Sequence, residues 1–596
     1  MSATGGQYGA QAPPARKAGH GWAGWLLLLA IAAAGPITIP WDRPALLEPD
    51  EARSAIIARL MAERGDWLAP HLPAVFHHDY PHDPVEGDLL AYWDKPPLYF
   101  WLAAAAMKVL GPTALAARLP SVLAQIATVL LVYAIGRSLW SGRTALLAAL
   151  ITALAPLAVA MGNMARMDAL LVALMTAMLL AILRLLVGRG RPWVWVLVLY
   201  VAAGLGILTK GPEAVVFPAA AVGITVLVTG RWRDLWRLRP LEGTIIALAV
   251  AAPWFLYMHY RYPAAADGRN AGFAYEFFIR QHLGRATSGE LGQKLPPGTL
   301  VGIVLAGLVP WTIFLPGACV RFVREIWRDR GNSSAAVLLL VWPLLIVGVF
   351  SLLKTAMLHY VAPAIPPLAL VTAAYMTEKV AGETTDRRIR VMLVTTLILT
   401  GAAAIAMSAF DILAHHGHGI RCSLALFVLA QGLLAGYLVT MRHRAWQAEG
   451  HVTLILAGCI GLFMQSCLCS FFSADPAGIN TRYTTRPEIL AMRETFGPGD
   501  AVIAYPHQPY SFAWYLWGQP VLYPTPDGSP AAEPSEDVLV AELNRPRRTF
   551  CLLQKRATIE TLQPKVRWPL RLVSEEKSRF TLIVADPSGV EKTHER

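Results

Sequence analysis

The sequence is poor in charged residues for its length. Only 15% of its 596 residues are Asp, Glu, Lys or Arg and 55% are hydrophobic, whereas roughly 25% charged residues are usual in soluble proteins. Apolar runs recur from Trp22 to Phe472, and a spanning helix needs about 20 mostly apolar residues. This composition excludes an ordinary soluble enzyme and predicts a mainly α-helical, polytopic membrane protein.

Cysteine and several signature motifs are also scarce. The six cysteines are too scattered for a disulfide framework, and no spacing resembles a zinc finger. The chain has no Walker or Rossmann motif, so we expect no nucleotide cofactor. It also lacks the internal repeat typical of secondary transporters, which weighs against that class.

The net charge of +12 does not indicate nucleic-acid binding. Its arginines fall in short clusters on alternate connections between apolar runs, which is the positive-inside pattern of cytoplasmic loops. We therefore expect no nucleic-acid partner, a multi-pass protein of the bacterial inner membrane, and a cytoplasmic N-terminus. The thirteen candidate spans are roughly 22–40, 114–139, 143–160, 167–187, 193–209, 213–229, 243–260, 298–318, 335–352, 357–377, 391–411, 420–440 and 451–472.

This topology divides the chain into three parts: a disordered tail over 1–20, a transmembrane domain over 21–473, and a periplasmic domain over 474–596. Loops 41–113 and 261–297 then also face the periplasm.

The first of these loops contains two apolar segments. An amphipathic pattern over Glu51–Arg64 predicts an interfacial helix, and Pro97–Leu110 is too short to span comfortably.

Short β-branched and aromatic runs after Ser473 predict a small α/β domain. Its expected strands and helices are 500–505, 520–523, 538–541, 549–553 and 580–585, and 487–495 and 558–563, respectively.

The acids of the first loop are the leading candidates for chemistry. Glu48 precedes the interfacial helix, Asp50 and Glu51 stand at its start, and Asp94 follows later in the loop. Capping of the helix N-terminus would explain Asp50 and Glu51 equally well. An ionisable residue in a membrane segment, such as Asp168, is a functional candidate by default.

Several cations are expected on the same face, against the positive-inside bias. Lys210 and Lys354 lie at short periplasmic turns, and His282 and Arg285 lie in the second periplasmic loop. Snorkelling toward lipid headgroups would explain any one of them. Several around one cavity would instead neutralise a phosphate.

These motifs resemble those of the ArnT-like, protein-mannosyltransferase-related glycosyltransferases. The resemblance covers roughly residues 20–375 in motif detail and rests on these stretches in order: Asp50-Glu51-Ala52-Arg53, Gly65-Asp66-Trp67-Leu68-Ala69-Pro70-His71-Leu72, Asp94-Lys95-Pro96-Pro97, Ala117-Arg118-Leu119-Pro120, Thr209-Lys210-Gly211-Pro212 and Phe350-Ser351 with Lys354 and Tyr360.

The resemblance implies a GT-C fold with periplasmic juxtamembrane helices, and transfer of a sugar from a polyprenyl-phosphate donor. It implies that Asp50 is the catalytic carboxylate, with Asp168 as a supporting acid of the cavity. We include the neighbouring Glu51 among the catalytic candidates. The expected substrate-binding residues are Arg53, Lys95, Lys210, Arg285, Lys354 and Tyr360.

The resemblance also suggests a divalent metal at Asp94 and His282. Two departures weaken that expectation, because Asp94 stands where a Glu is usual and Gln281 stands where a Glu usually precedes the histidine. A further departure is the polar segment His77–Asp83. Its histidines and aspartates could bind a transition metal or contact the acceptor, but their close spacing beside Pro81 favours a solvated loop.

We therefore expect an inverting glycosyltransferase that takes a hexose or pentose from an undecaprenyl-phosphate donor. Its acceptor would be lipid A or another periplasmic molecule, and we expect a monomer surrounded by membrane lipids. The alternatives are a protein O-mannosyltransferase-like enzyme, an O-antigen ligase and a secondary transporter.

Overall fold

The computed structural model describes residues 46–80, 83–188, 191–264, 271–284, 295–353, 356–380, 484–493, 495–505, 508–516, 521, 535–553, 557–573 and 580–587. The chain is a multi-pass helical membrane protein with a small sheet-containing C-terminal region. Its α-helices in chain order are α1 Asp50–Arg64, α2 Leu98–Leu110, α3 Ala114–Leu139, α4 Gly142–Leu154, α5 Pro156–Gly162, α6 Asp168–Val187, α7 Pro192–Lys210, α8 Glu213–Thr229, α9 Arg233–Arg237, α10 Pro240–Arg261, α11 Thr299–Gly307, α12 Leu315–Arg328, α13 Ser334–Leu352, α14 Ile365–Val380, α15 Arg486–Arg493, α16 Tyr510–Tyr515, α17 Glu536–Leu543 and α18 Ala557–Leu562.

Shorter helical turns connect several of these elements. The 3₁₀ turns are Ala74–Asp79, Trp311–Phe314, Arg330–Asn332, Leu358–Ala364 and Gln563–Lys565, and Tyr275–Gly284 is a π-helical segment.

The predicted spans fall on these helices wherever the structure describes them. Within the described residues, six helices are long and apolar enough to cross a bilayer, or eight if each of two bent pairs counts as one span. Spans 22–40, 391–411, 420–440 and 451–472 lie outside the described residues. The total of thirteen therefore stays a prediction.

Two predicted spans are broken rather than straight. Helices α4 and α5 meet at an angle of 62°, and α11 meets the segment Trp311–Arg328 at 107°. Pro156 and Pro310 stand at the breaks. Proline removes a backbone donor and clashes with the preceding helical turn, so each break has a local cause.

Helix α1 carries the acids of the first loop. It begins at Asp50 and ends at Arg64, where Gly65 adopts the left-handed conformation (φ 78°) and donates its N–H to the carbonyl of Met61. This is the usual glycine stop of a helix. Nine of its residues are buried, so α1 is enclosed by protein on more sides than its predicted amphipathic pattern requires.

A three-stranded antiparallel sheet lies beside α1. Its strands are β1 His71–Pro73, β2 Val85–Glu86 and β3 Leu89–Ala91, in the order β1-β3-β2. Of the segment expected to be a solvated loop, the two residues whose side chains the structure describes, Tyr80 and Asp83, are buried. The hydroxyl of Tyr80 accepts a hydrogen bond from Arg53 (2.9 Å).

The C-terminal region holds a four-stranded sheet. Its strands are β4 Ala501–Tyr505, β5 Thr549–Leu553, β6 Leu570–Leu572 and β7 Thr581–Ala585, in the order β4-β5-β7-β6. Strands β4 and β5 pair in parallel, and the other pairs are antiparallel. The strand expected at 538–541 is wrong, since these residues belong to α17. Acidic Glu536 and Asp537 in the first turn favour a helix, and Leu539 and Leu543 bury one face of it.

Two apolar clusters position the parts of the molecule that matter here. The larger one fills the bundle of spanning helices. The second joins α1, α2 and the start of α3 to Tyr510, Ala513 and Trp514 of α16. The C-terminal region is thereby packed against the helix that carries Asp50.

Candidate active site

A polar cavity of about 190 Å³ opens at the end of the helix bundle next to α1. The lining comes from α1, the strand exit after β3, the adjoining ends of α6 and α7, and the turn Leu358–Ala364. The lining residues are Asp50, Arg53, Ser54, Tyr92, Asp94, Lys95, Arg166, Met167, Asp168, Lys210, Met357, His359 and Tyr360.

Asp50 lies between two arginines. Its Oδ1 is 2.5 Å from Nη2 of Arg53, one helical turn away, and its Oδ2 is 3.1 Å from Nη2 of Arg166. Burial alone would raise the pKa of Asp50, but the two guanidinium groups outweigh burial and hold that pKa below its usual value. Asp50 is therefore ionised at neutral pH.

A second carboxylate, Asp168, also lines the cavity and pairs with Lys210. It is the first residue of α6, and Lys210 is the last residue of the antiparallel neighbour α7, so the two side chains meet at the same face. The Asp168 Oδ1 to Lys210 Nζ distance is 2.8 Å. Both positions suit the helix dipoles, which favour an anion at an N-terminus and a cation at a C-terminus.

Arg166 connects the two carboxylates. Its Nε lies 3.2 Å from Oδ2 of Asp168, and its Nη2 lies 2.8 Å from Nε2 of His359. Arginine carries donors only, so the ring nitrogen of His359 that faces it must accept. One guanidinium thus fixes Asp50, Asp168 and His359 relative to one another.

The lining residues carry a positive excess. Four cations (Arg53, Lys95, Arg166 and Lys210) stand against three carboxylates (Asp50, Asp94 and Asp168), which leaves one positive charge. The ring of Tyr360 adds a hydroxyl group and lies 4.4 Å from Nζ of Lys210. Such a cavity attracts an anion with hydroxyl-bearing groups attached.

Glu51 does not line this cavity, although it follows Asp50 directly. Its Oε1 and Oε2 accept from Arg118 at 2.6 and 2.9 Å. The backbone N–H groups of Ala165 and Leu47 donate to the same carboxylate at 2.8 and 3.0 Å. These contacts hold α1 against α3 and keep Glu51 away from the cavity, so the structure does not bring it together with the other candidates, and its catalytic role stays a prediction.

The second loop is seated on the turn that follows Lys210. Gly211 has φ 109°, and a Cβ atom there would lie 2.6 Å from Nε2 of His282 and 3.2 Å from the ring of Phe277. Only glycine allows both this backbone conformation and this close approach.

The metal expected at Asp94 and His282 does not fit the residues present. Gln281 donates its side-chain amide to Asp94, and a donor in that position competes with a cation. Nδ1 of His282 faces the carbonyl oxygen of Phe277 at 2.6 Å. Within the described residues no group of three or more His, Cys, Asp or Glu side chains could hold a metal ion. We derive no step through a metal.

The chain is similar to known proteins in sequence and in fold. The family model of dolichyl-phosphate-mannose-protein mannosyltransferases matches residues 94–257. The chain is 31% identical, over 65% of its length, to an undecaprenyl phosphate-alpha-4-amino-4-deoxy-L-arabinose arabinosyl transferase of Pectobacterium carotovorum, and 30% identical, over 69%, to its namesake in Serratia proteamaculans. The crystal structure of ArnT from Cupriavidus metallidurans bound to undecaprenyl phosphate matches with a TM-score of 0.73, at 19% identity, over 95% of this chain and 99% of that one.

The chain has the GT-C fold and is similar in sequence to the ArnT-like enzymes. Its match spans 64% and 66% of the length of the two enzymes named above, slightly less than two thirds. The crystal structure, at its low identity, supports the fold alone.

The chain brings most of the predicted site residues together. Asp50, Arg53, Lys95, Asp168, Lys210 and Tyr360 all line one cavity, as does Asp94. His282 lies behind the cavity, on the turn at Gly211. Arg285 and Lys354 lie outside the described residues, so their roles stay predictions.

The sequence analysis did not single out Arg166, His359, Ser54 or Tyr92 as site residues. Arg166 carried a usable signal, since it is an arginine on the face where the positive-inside rule disfavours one. His359 precedes Tyr360 in the chain and shares its turn. Ser54 donates its hydroxyl to the carbonyl of Asp50 (2.8 Å), and nothing in its neighbourhood in the sequence distinguishes it.

Proposed function

We propose that this protein is a glycosyltransferase that moves a sugar from a polyprenyl-phosphate donor to an acceptor on the periplasmic side of the inner membrane. The observation that carries the proposal is the arrangement of Asp50 beside a cavity with more cations than acids. In a phosphate-linked sugar, the phosphate is the anion that the cations would bind. Its anomeric carbon is the atom that an acceptor hydroxyl, held by Asp50, would attack. The relatives' names, which specify an undecaprenyl phosphate donor, support the same class.

The donor phosphate would bind among Arg53, Lys95, Lys210 and the hydroxyl of Tyr360. Guanidinium and ammonium groups in a partly water-excluded site stabilise negative charge as it grows on a leaving phosphate. We propose the same role for Arg285 and Lys354, which lie outside the described residues. The apolar carrier chain needs no place in the polar cavity and stays with the lipid.

Asp50 would act on the acceptor hydroxyl. It would accept the hydroxyl hydrogen bond and take the proton as the oxygen attacks the anomeric carbon, a general-base role. The new bond joins the acceptor oxygen to that carbon, and the old bond between the carbon and the phosphate oxygen breaks. The phosphate leaves with the electron pair, and the single displacement inverts the anomeric centre.

The low pKa of Asp50 has a reason in this scheme. Arg53 and Arg166 suppress the basicity of the carboxylate while the cavity holds no other anion. A donor phosphate would compete for the same guanidinium groups, so Asp50 becomes a stronger base as the donor binds. Asp168 would remain the counter-ion that keeps Lys210 and Arg166 in place.

We propose 4-amino-4-deoxy-L-arabinose as the sugar and lipid A as the acceptor. The sugar follows the name shared by the relatives. The family model over 94–257 favours a second candidate, transfer of mannose to a protein hydroxyl. Mass spectrometry of lipid A and of membrane glycoproteins from a deletion strain, compared with its parent, distinguishes the two.

The proposal is tested with an Asp50→Asn variant in membranes supplied with labelled undecaprenyl-phosphate sugar. We expect transfer to fall by about 10² to 10⁴-fold, the usual contribution of a general base. Glu63→Gln is the matched control, because Glu63 lies on the same helix and pairs with Arg59 at 2.7 Å, outside the cavity lining. Wild-type transfer by Asp50→Asn would contradict the assignment, and sugar uptake into vesicles without transfer would favour a transporter.

A further inference from the structure

The C-terminal region contacts α1 and the segment before it through the short helix α16. Its Tyr510, Ala513 and Trp514 are buried in the same apolar cluster as α1. Ser511 donates its backbone N–H to Glu48, 463 positions earlier in the chain, and Leu46 donates its N–H to the hydroxyl of Tyr515 (2.9 Å). The segment before Asp50 and the helix after it are thus both held by α16.

Tyr510 is a residue of α16 that contacts Arg53, the partner of Asp50. Its ring stacks on Phe76 with the centroids 4.1 Å apart, and it lies 5.7 Å from the guanidinium carbon of Arg53. Its hydroxyl shares a hydrogen bond with Tyr80, whose hydroxyl accepts from Nη1 of Arg53. The tyrosine thus contacts Arg53 through its ring face and, through Tyr80, by a polar link.

Arg53 is enclosed by aromatic rings on the sides that Asp50 leaves free. The ring of Tyr92 lies 5.9 Å from the guanidinium carbon, in addition to the ring of Tyr510 at 5.7 Å. Arginine has many rotamers, and packing against flat rings restricts them. Removing one ring gives the guanidinium room to leave Asp50.

We propose that Tyr510 is a positioning residue, which holds Arg53 in the orientation that pairs with Asp50, so that the C-terminal region completes the active site. The inference rests on the proposed function, in which Asp50 is the base. It assigns the C-terminal region a part in the reaction rather than a role in stability alone. The expected consequence of losing Tyr510 is an Asp50 whose titration changes, and not only a less stable protein.

The structure supplies a matched control on the same helix. The ring of Trp514 lies 5.4 Å from the guanidinium carbon of Arg59, so the two contacts join the same pair of helices by the same chemistry. Arg59 pairs with Glu63 and is absent from the cavity lining. A purely structural role for α16 predicts equal effects at Trp514 and Tyr510.

The experiment measures kcat and KM against pH for the full-length protein in detergent micelles, with labelled undecaprenyl-phosphate sugar and lipid A. We expect Tyr510→Leu to lower kcat about tenfold, a modest fraction of what a general base contributes. The acid limb of the kcat/KM profile of this variant, which reports the free enzyme, should move to higher pH, because a displaced Arg53 no longer lowers the pKa of Asp50. Tyr510→Phe keeps the ring and should lose about threefold with a smaller shift, while Trp514→Leu should stay within about twofold without a shift.

A second measurement is independent of the sugar's identity. Binding of undecaprenyl phosphate to the same variants should weaken for Tyr510→Leu and stay unchanged for Trp514→Leu. If Tyr510→Leu unfolds under assay conditions, Tyr510→Phe, which preserves the packing, decides by the same criteria.

Equal losses at Tyr510 and Trp514 with an unmoved acid limb would overturn the inference, as would wild-type behaviour of Tyr510→Leu. Asp50→Asn, assayed in parallel, separates the two proposals. If it is inactive while Tyr510→Leu is normal, only the inference fails. If Asp50→Asn transfers sugar normally, the proposed function fails and the inference fails with it.

Discussion

Asp50 and Glu51 are neighbours on one helix and have opposite surroundings. A helix turns by roughly 100° per residue, which directs Asp50 into the cavity and Glu51 into the contact between α1 and α3. Glu51 is 2% exposed and its carboxylate is fully engaged by Arg118 and two backbone N–H groups. The Asp50 side chain is 24% exposed, and both of its arginines also line the cavity.

The difference between the two acids lies in whether their partners can be exchanged. Every partner of Glu51 is enclosed, so its ion pair can only hold the fold together. The partners of Asp50 face a space that another anion can enter. The two acids thus differ in the openness of their counter-ions, since both are paired with arginine.

The largest expected effect is on the enclosed pair. Glu51→Gln leaves the charge of Arg118 buried without its counter-ion, and we expect the free energy of unfolding to fall by about 3–5 kcal/mol. Asp50→Asn should lower it by less, since the Asp50 side chain is 24% exposed and both of its arginines face the cavity. Chemical denaturation in micelles compares the two.

The double variant Glu51→Met with Arg118→Met is the control for this prediction. It removes both charges together and should recover most of the lost stability. Equal destabilisation by Glu51→Gln and Asp50→Asn would contradict the proposed distinction between the two acids.

The next effect is on the open cluster. Arg166→Met removes one cation from Asp50 and one from Asp168, and we expect kcat to fall about 100-fold from the lost positioning. Because Arg166 lowers the pKa of Asp50, that pKa rises in the variant. The acid limb of the kcat/KM profile, which reports the free enzyme, should therefore move to higher pH, and an unmoved limb would argue against Arg166 as a partner of the base.

A third acid in the same stretch, Glu48, differs from both because its pKa is raised, which makes the stability of the protein depend on pH. Burial raises the pKa of Glu48 to about 7, while the backbone hydrogen bonds from Ser511 and Tyr510 and the charge of Arg53 act in the other direction. The folded state thus favours the neutral form. The stability from this group is complete below the unfolded pKa near 4.5 and is lost as the pH rises toward 7.

We expect a loss of roughly 2 kcal/mol between about pH 4.5 and pH 7 from this group. Thermal unfolding against pH, in wild type and Glu48→Gln, measures it. The variant should lack this component of the pH dependence. The same slope in both proteins would show that another group is responsible.

The smallest effect belongs to an exposed pair on the same face. Arg64 and Asp88 lie 2.5 Å apart, with side chains 47% and 70% exposed. We expect Asp88→Asn to change the free energy of unfolding by less than about 0.5 kcal/mol, because water and salt screen such pairs. A loss as large as that of Glu51→Gln would show that proximity alone, without burial, decides the strength of these pairs.

The sequence predicts the helices well because long apolar runs leave few alternatives. It misses the bends at Pro156 and Pro310, where tolerance of proline depends on the neighbouring helices. It also misassigns Val538–Ala541, whose β-branched residues are outweighed by acidic residues at a helix start and by burial of Leu539.

The site was predictable in outline and not in its contacts. Asp50, Lys95, Asp168 and Lys210 occupy motifs that can be recognised locally. The different roles of Asp50 and Glu51 depend on Arg118 and Arg166, which are distant in sequence. Tyr510 lies in another region altogether, and no local pattern relates it to Arg53.

The size of the cavity bears on how the proposed enzyme would select its donor. About 190 Å³ is below the roughly 300–1,000 Å³ of pockets that enclose drug-sized ligands, so it holds a sugar and its phosphate but no long hydrocarbon chain. Selection therefore depends on the head of the donor, and carriers of different prenyl length should compete on nearly equal terms.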